Sequence, residues 1–159
     1  MAIDIHIKFD GIEGESTDRD HKGEIEVLSW NWGLSAQASS TSGGGAGAGR
    51  ASAQDLSFVH RYDKASPLLA KAGASGRAIR QVTLAARRAG EGQKDFLKVT
   101  MKEVFVTAVQ PSGSEEQGIA ESVSVRSRQI AFEYQPADSK GQLGNAVAFS
   151  WDIAAGTVT

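Results

Sequence analysis

Apolar and polar residues alternate with a period of two along most of this chain, and this pattern constrains its fold more than any other feature. Successive side chains of a β-strand point to opposite faces of the sheet, so the alternation predicts strands buried on one face. In the first strand the apolar face carries Ile3, Ile5, Ile7 and Phe9, and the polar face carries Asp4, His6 and Lys8. Further strands are predicted within residues 25–34, 56–58, 82–86, 96–109, 123–134 and 147–153.

The alternation changes phase inside three of these strands. The reversals fall between Val27 and Leu28, between Met101 and Val104, and between Val125 and Ile130. A reversal within a strand is typical of a β-bulge, which bends a sheet. Long bent strands therefore predict a mainly β fold, a small two-sheet β-barrel, with an unclosed sandwich as the alternative. Trp30 and Trp32 share the phase of Leu28 and Leu34, and all four are expected to face the core.

One short helix is predicted to flank the barrel. Ser66 followed by Pro67 is typical of an N-cap and a first helical residue, where the missing N–H of proline does no harm. Small and apolar residues then recur at helical spacing, and Gly73 or Gly76 can end the helix.

A low-complexity tract of serine, glycine and alanine occupies residues 39–52. The β pattern resumes at Leu56 without a change in composition, so residues 1–159 are interpreted as a single domain with a long protruding loop. The tract lacks the lysine and following serine or threonine of a phosphate-binding loop, since it ends at Gly49-Arg50. An adaptable contact arm is the favoured interpretation.

Composition excludes several classes of function. The chain has 159 residues, a net charge of −2 and no cysteine, which excludes disulfides, thiolate metal sites and a cysteine nucleophile. Nucleic-acid binding and membrane insertion are not expected, because the charge is balanced and no apolar run approaches the ~20 residues of a spanning helix. The amino terminus resembles a strand and not a cleavable signal, so synthesis in the cytoplasm is expected.

No catalytic, cofactor-binding or metal-binding residue is predicted. His6, His21 and His60 lack ligand spacing, and His21 is expected to be solvated in a charged loop. A hydrolase using His21 and nearby carboxylates is therefore disfavoured. Glu115 and Glu116 lie in a predicted turn and are interpreted as solvated charge.

Several blocks of this sequence resemble the haemolysin-coregulated protein (Hcp) family of type VI secretion. The most specific blocks are Gly14-Glu15-Ser16 and the run from His21 to Gly33, which contains Trp30-Asn31-Trp32-Gly33. The resemblance continues through the glycine tract, Gln54-Asp55-Leu56-Ser57-Phe58, Asp63-Lys64-Ala65-Ser66-Pro67-Leu68, Lys102-Glu103-Val104-Phe105-Val106-Thr107, Glu133-Tyr134 and Phe149-Ser150-Trp151-Asp152. Residues 154–156 are expected to be a plain end, with no effector domain after them.

The resemblance implies a structural protein and not an enzyme. Family members form hexameric rings that stack head to tail into the inner tube of the secretion apparatus. The tube works with sheath, spike and baseplate proteins, and small effector proteins are carried in the lumen. The expected locations are the cytoplasm before firing, and then the medium or a target cell. A monomeric β-barrel that binds a small ligand in its interior is the alternative.

Two sets of residues are predicted to serve this assembly. The glycine tract is expected to contact the next ring through Ser42, Gly43, Gly44, Gly45, Gly47, Gly49 and Arg50. If the tryptophans face the core, the opposite face of their strand carries the candidate lumen residues Ser29, Asn31, Gly33 and Ser35. An exposed outer face remains the alternative for these four residues.

Overall fold

The computed structural model describes residues 2–38, 48–90 and 92–159. In chain order the elements are β1 (Ile3–Phe9), β2 (Ile25–Glu26), β3 (Ser29–Asn31), β4 (Leu34–Ala38), β5 (Ala48–Ala53), β6 (Leu56–Arg61), α1 (Ser66–Ser75), β7 (Ile79–Arg88), β8 (Asp95–Ser114), β9 (Gly118–Tyr134), β10 (Val147–Asp152) and β11 (Thr157–Val158). The predicted mainly β class with one short helix is confirmed.

Nine of the strands form one sheet in which every pairing is antiparallel. The main order is β11-β10-β9-β8-β7-β1-β2, and β3 and β6 branch from it because β6 also pairs with β9. The long strand β9 has β8 along one edge, and on its other edge it pairs with β6 in its first half and with β10 in its second half. Strands β4 and β5 form a separate two-stranded sheet.

The nine-stranded sheet curls around one core without closing into a continuous barrel ladder. Phe9 in β1 and Phe58 in β6 lie at 5.9 Å between ring centroids, although these strands do not pair. The chain passes from β1 to β6, across the gap between these unpaired strands, at two consecutive residues. The Val27 N–H donates to the Ile5 carbonyl (2.9 Å), and the Leu28 N–H donates to the Val59 carbonyl (2.8 Å). The core therefore sits inside the curl, and its buried members include residues of β1 and β2 and of β6 to β9.

The phase reversal after Val27 has a different cause from the predicted bulge. The predicted second strand is divided into β2, which pairs with β1, and β3, which pairs with β6. The expectation that Leu28, Trp30, Trp32 and Leu34 all face the core is wrong in part. Trp30 and Trp32 pack against the core while half-buried, whereas Leu28 and Leu34 are each 48% exposed.

The reversal in the predicted fifth strand is confirmed and lies inside one continuous strand, β8. Val99 and Met101 are buried in one phase and Val104 and Val106 in the other, and Glu103 between them has a left-handed backbone with φ of 51°. A register shift against β9 follows between Val106 and Ala108. These irregularities accompany the bend that brings both halves of the strand onto the same core.

The helix is confirmed, with its start displaced by one residue. Ala65 occupies the N-cap position and Ser66 is the first helical residue, so the predicted serine cap is wrong. The Ser66 hydroxyl instead accepts a hydrogen bond from the Asp63 N–H (3.1 Å). Gly76 ends the helix with φ of 66°, a conformation that glycine adopts without steric cost.

The carboxyl-terminal residues form an additional strand. Residues 154–156 make a turn, after which β11 pairs with Trp151 and Asp152 of β10. The sequence pattern predicts no strand after residue 153, so β11 is an addition made by the structure. This short strand lies at one edge of the main sheet.

Truncation of Phe58 to alanine is expected to lower the free energy of unfolding by about 3–5 kcal/mol, because it removes a ring that is fully buried against Phe9. Phe105→Ala is the matched control, since Phe105 is 44% exposed. Urea unfolding at one fixed protein concentration compares the two variants. Equal losses would contradict the assignment of Phe58 to the core.

Candidate functional site

Two cross-strand rows of short neutral side chains lie on the outward face of β3, β6 and β9. Asn31, Ser57 and Ser124 occupy one row, and Ser29, Val59 and Ser122 occupy the next. All six are at least partly accessible, and the hydroxyls of Ser57 and Ser124 lie 2.8 Å apart. We call these six residues the serine face. It offers a smooth surface without charge, bordered by an ion pair between Asp55 and Arg126 (3.0 Å).

The four candidate lumen residues are divided among three places in the structure. Ser29 and Asn31 belong to the serine face, because Trp30 between them turns toward the core. Gly33 lies between β3 and β4, where its carbonyl accepts the Gln54 N–H (2.8 Å). Ser35 is an exposed residue of β4 and pairs with Ser52 in the separate sheet.

Two of the residues predicted to contact the next ring, Gly49 and Arg50, lie in a β-hairpin. Strands β4 and β5 pair from Leu34 with Ala53 to Ala38 with Ala48, with a register irregularity near the last pair. Gly49 and Arg50 are therefore strand residues, and the expectation of an entirely irregular loop over residues 39–52 is wrong for residues 48–52. Ser42, Gly43, Gly44, Gly45 and Gly47 fall outside the described residues.

The Gly14-Glu15-Ser16 motif ties the long segment between β1 and β2 to itself. The Gly14 N–H donates to the Gly23 carbonyl (2.8 Å), and the Ser16 N–H donates to the Glu24 carbonyl (2.9 Å). A Cβ atom at Gly14 would lie 2.6 Å from the Glu24 carbonyl oxygen. Glycine is required here because the two backbones approach too closely for any side chain.

The middle residue of that motif links the same segment to the helix. The Glu15 carboxylate accepts a hydrogen bond from the Lys64 N–H (2.7 Å), just before the helix begins. Ser16 is buried, and its hydroxyl accepts the Asp18 N–H (3.2 Å). The motif therefore has a structural role, which is to fix the segment over the outer face of β1.

His21 is buried, and the expectation of a solvated histidine is wrong. Its ring stacks on that of His6 at 4.6 Å, and both residues are less than 10% exposed. The Nδ1 atom of His21 lies 3.0 Å from Glu24, and the Nε2 atom lies 3.0 Å from Asp95 at the start of β8. His6 is buried although it lies on the polar face of β1, because the segment after β1 folds back over it.

Arg87 anchors the same segment from β7. Arg87 is 7% exposed, and its guanidinium pairs with Asp18 and with Asp20 (3.3 Å). Burial tends to raise the pKa of Asp18, but hydrogen bonds from the Asp20 N–H and the Arg87 guanidinium lower it below its usual value. A carboxylate that stays ionised beside a buried guanidinium holds the segment in place.

The two stacked histidines have opposite pKa shifts. Burial tends to lower the pKa of His21, but hydrogen bonds with Asp95 and Glu24 outweigh it and raise the pKa above 6.5. Burial lowers the pKa of His6 below 6.5, and the neighbouring His21 lowers it further. As the pH falls, His21, which bridges two carboxylates, therefore takes up a proton before His6 does.

A second buried polar pair lies at the helix end of the core. His60 and Glu121 are both fully buried, and the Nε2 atom of His60 lies 2.9 Å from Glu121. Asp63 lies 3.9 Å from the other ring nitrogen, and burial raises its pKa. Sequence reasoning missed this pair, although His60 continues the buried phase of Leu56 and Phe58.

Neither polar cluster has the arrangement of a metal centre. Within residues 2–38, 48–90 and 92–159, no group of three or more His, Asp or Glu side chains is placed to hold a metal ion. In the same residues, no helix is long and apolar enough to span a bilayer. The observed role of the two clusters is to connect loops and strands.

Comparison with known proteins identifies the family. The profile described as "Type VI secretion system effector, Hcp" matches residues 6–134. Protein hcp1 of Pseudomonas aeruginosa is 47% identical over 156 residues, which cover 96% of each chain. This chain belongs to the Hcp family of type VI secretion.

Solved structures of related proteins share the fold. Hcp1 from Salmonella typhimurium is 37% identical and covers all of both chains with a TM-score of 0.83. A structure described as a type six secretion system protein is 27% identical, covers 99% of this chain and 100% of its own, and has a TM-score of 0.92. The Hcp resemblance read from the sequence is thus confirmed at the level of family and fold.

Replacement of Gly14 by alanine is expected to destabilise this Hcp protein by about 2 kcal/mol or more, because the added methyl group overlaps a backbone carbonyl. Gly144→Ala is the control, since its Cβ would lie 3.4 Å from the nearest atom. Thermal unfolding of both variants measures the difference. Equal melting temperatures would contradict the close approach at Gly14.

The two histidines are expected to affect stability with opposite dependence on pH. Because the pKa of His21 is raised on folding, its stabilisation is complete below the unfolded value of ~6.5 and is lost as pH rises through the folded value. Because the pKa of His6 is lowered, its stabilisation is present above ~6.5 and is lost as pH falls through the folded value.

His21→Gln should therefore destabilise the protein more in mild acid than at alkaline pH. His6→Gln should reduce the destabilisation that mild acid causes. Urea unfolding between about pH 5 and pH 9 tests both variants. Identical pH profiles for the two variants would contradict the assigned protonation states.

Proposed function

We propose that this chain is the repeating subunit of the type VI inner tube. Six copies form a ring, rings stack head to tail, and the assembled protein is secreted or delivered into a target cell after synthesis in the cytoplasm. Its role is structural and not enzymatic, and small effector proteins are carried in the lumen. The observation that carries this proposal is the β4–β5 hairpin of a chain that belongs to the Hcp family.

The hairpin is poorly suited to exist without a partner. A two-stranded sheet in water is marginally stable, and the described side chains from Leu34 to Gln37 are all exposed. Alanine, serine and glycine dominate its sequence, so a neighbouring backbone can approach closely. Contact with another ring would cover these residues and offset the cost of ordering them.

The serine face supports a role in the lumen. Hydroxyl and amide groups on this face can hydrogen-bond to many different passengers, whereas the absence of charge avoids selection for one sign. Weak and exchangeable contacts would suit a carrier that must later release its cargo. The same tube would require sheath, spike and baseplate proteins as partners, as the family membership suggests.

The alternative of an interior ligand site has less support. The space inside the curled sheet is filled by large buried side chains, among them Phe9, Phe58, Leu84, Met101 and Ile130. A carrier of small ligands needs a cavity where these side chains lie. The candidate functional sites of this chain are therefore on its surface, at the β4–β5 hairpin and the serine face.

Light scattering coupled to gel filtration tests the ring. The purified full chain is expected to elute at about six times the monomer mass of 16.8 kDa. A monomer at micromolar concentration would contradict the proposal and would favour the ligand-binding alternative.

Replacement of Asn31 by arginine tests the lumen assignment. A long cation on the β3 side of the serine face is expected to abolish effector retention while rings remain intact, because it obstructs the surface and repels basic passengers. Ser75→Arg is the control, since Ser75 is exposed in the last turn of α1 and is not part of the serine face. Co-purified effector is quantified beside the ring mass for both variants. Normal retention in Asn31→Arg would reject the lumen assignment.

A further inference from the structure

The β8–β9 ladder carries opposite charge at its two ends, and we propose that these ends dock on each other in successive copies of the chain. One end is the turn of the hairpin, with its two carboxylates. The other end is a groove that contains two cations. The proposal rests on the proposed assembly and assigns it a pair of contact surfaces.

The first surface is the hairpin end that extends beyond the sheet, residues 111–119, which we call the acidic tip. The support from β6 ends where the Tyr62 N–H donates to the Ile119 carbonyl (3.0 Å). Beyond that bond, β8 and β9 pair only with each other, and every residue of the tip is exposed. Glu115 and Glu116 lie in its turn, and the Ile119 side chain is 52% exposed.

The second surface is a groove of about 640 Å³ where β7 ends and β8 begins. We call it the basic groove. Among the described residues, the charged side chains that line it are Arg88 and Lys94. Phe96 and Tyr134 form its aromatic wall, with an edge-to-face contact of 6.3 Å between ring centroids.

The two surfaces are complementary in chemistry. Arginine binds a carboxylate with two parallel hydrogen bonds, and a lysine beside it can neutralise the second carboxylate. The exposed Ile119 of the tip can pack on the aromatic wall next to the cations. The groove is also large enough to hold several side chains of the tip.

One molecule cannot make this contact with itself. The ladder runs from the pair Leu97 and Tyr134 to the pair Ser114 and Gly118, so tip and groove lie at opposite ends of the same two strands. At ~3.3 Å per residue the strand path between them is on the order of 50 Å. The contact must join two copies through different surfaces, which is a head-to-tail arrangement that repeats.

Engineered cysteines test the contact directly, because the natural chain has none. Gln117→Cys lies in the tip and Gln93→Cys lies in the groove, and both replacements leave the four charged residues intact. Mild oxidation of the full-length double variant is expected to give a ladder of covalent oligomers on a non-reducing gel. The matched control combines Gln117→Cys with Lys71→Cys on the exposed side of α1.

Charge reversal tests the chemistry in the same cysteine background. Glu115→Lys with Glu116→Lys is expected to lower the cross-linked yield about tenfold, because attraction is replaced by repulsion. Adding Arg88→Glu and Lys94→Glu should restore the yield. A ladder that is insensitive to these reversals would overturn the assigned charge pairing.

Light scattering on the same samples separates this proposal from the proposed function. Assembled protein with no more cross-linking than the control would overturn the docking of tip and groove and leave the tube subunit standing. Protein that remains monomeric would contradict both. A cross-linked yield that falls with the first charge reversal and recovers with the second supports both proposals.

Discussion

The antiparallel ladder between β8 and β9 is the interaction on which the rest of this Hcp structure depends. Strand β7 pairs with β8 on one side of the ladder, and β6 and β10 pair with β9 on the other side. The register between β8 and β9 therefore sets the relative positions of these three neighbouring strands. The bend near Glu103 turns the two halves of β8 onto one core. The same ladder extends past the core at its turn, where it offers a surface for other molecules.

Buried charge in this protein connects loops and strands. Arg87 and His21 hold the segment after β1 by its carboxylates, and His60 with Glu121 fixes the sheet beneath the helix. Burying such groups costs desolvation energy, which makes them a means of specifying one arrangement more than a source of stability. The outside combines the neutral serine face with the charged acidic tip and basic groove. A body fixed by buried pairs suits the proposed subunit, whose surfaces meet copies of itself.

Much of the fold could be predicted from the sequence, because a strand that is buried on one face alternates apolar and polar residues with a period of two. That pattern identified β1, β6 to β10 and the reversal in β8. Glycine chemistry limited the end of α1 to Gly73 or Gly76, and the helix ends at Gly76. The period-two pattern failed where contacts between residues distant in sequence determine which side chains are buried. Leu28 and Leu34 lie outside the core because the chain changes partners from β1 to β6. His6 and His21 are buried because the long segment between β1 and β2 folds back over β1. Local periodicity in the sequence does not reveal such a fold.

The candidate surfaces were predictable only in part. The alternation gave the side of β3 on which Ser29 and Asn31 lie, but the neighbouring rows from β6 and β9 depend on tertiary pairing. The central claim is that curled sheets of identical chains join side by side until a circle closes. Negative-stain imaging of the dilute purified protein tests it most directly. The account predicts annular particles with six-fold symmetry, and well-folded solitary particles without any annuli would contradict it.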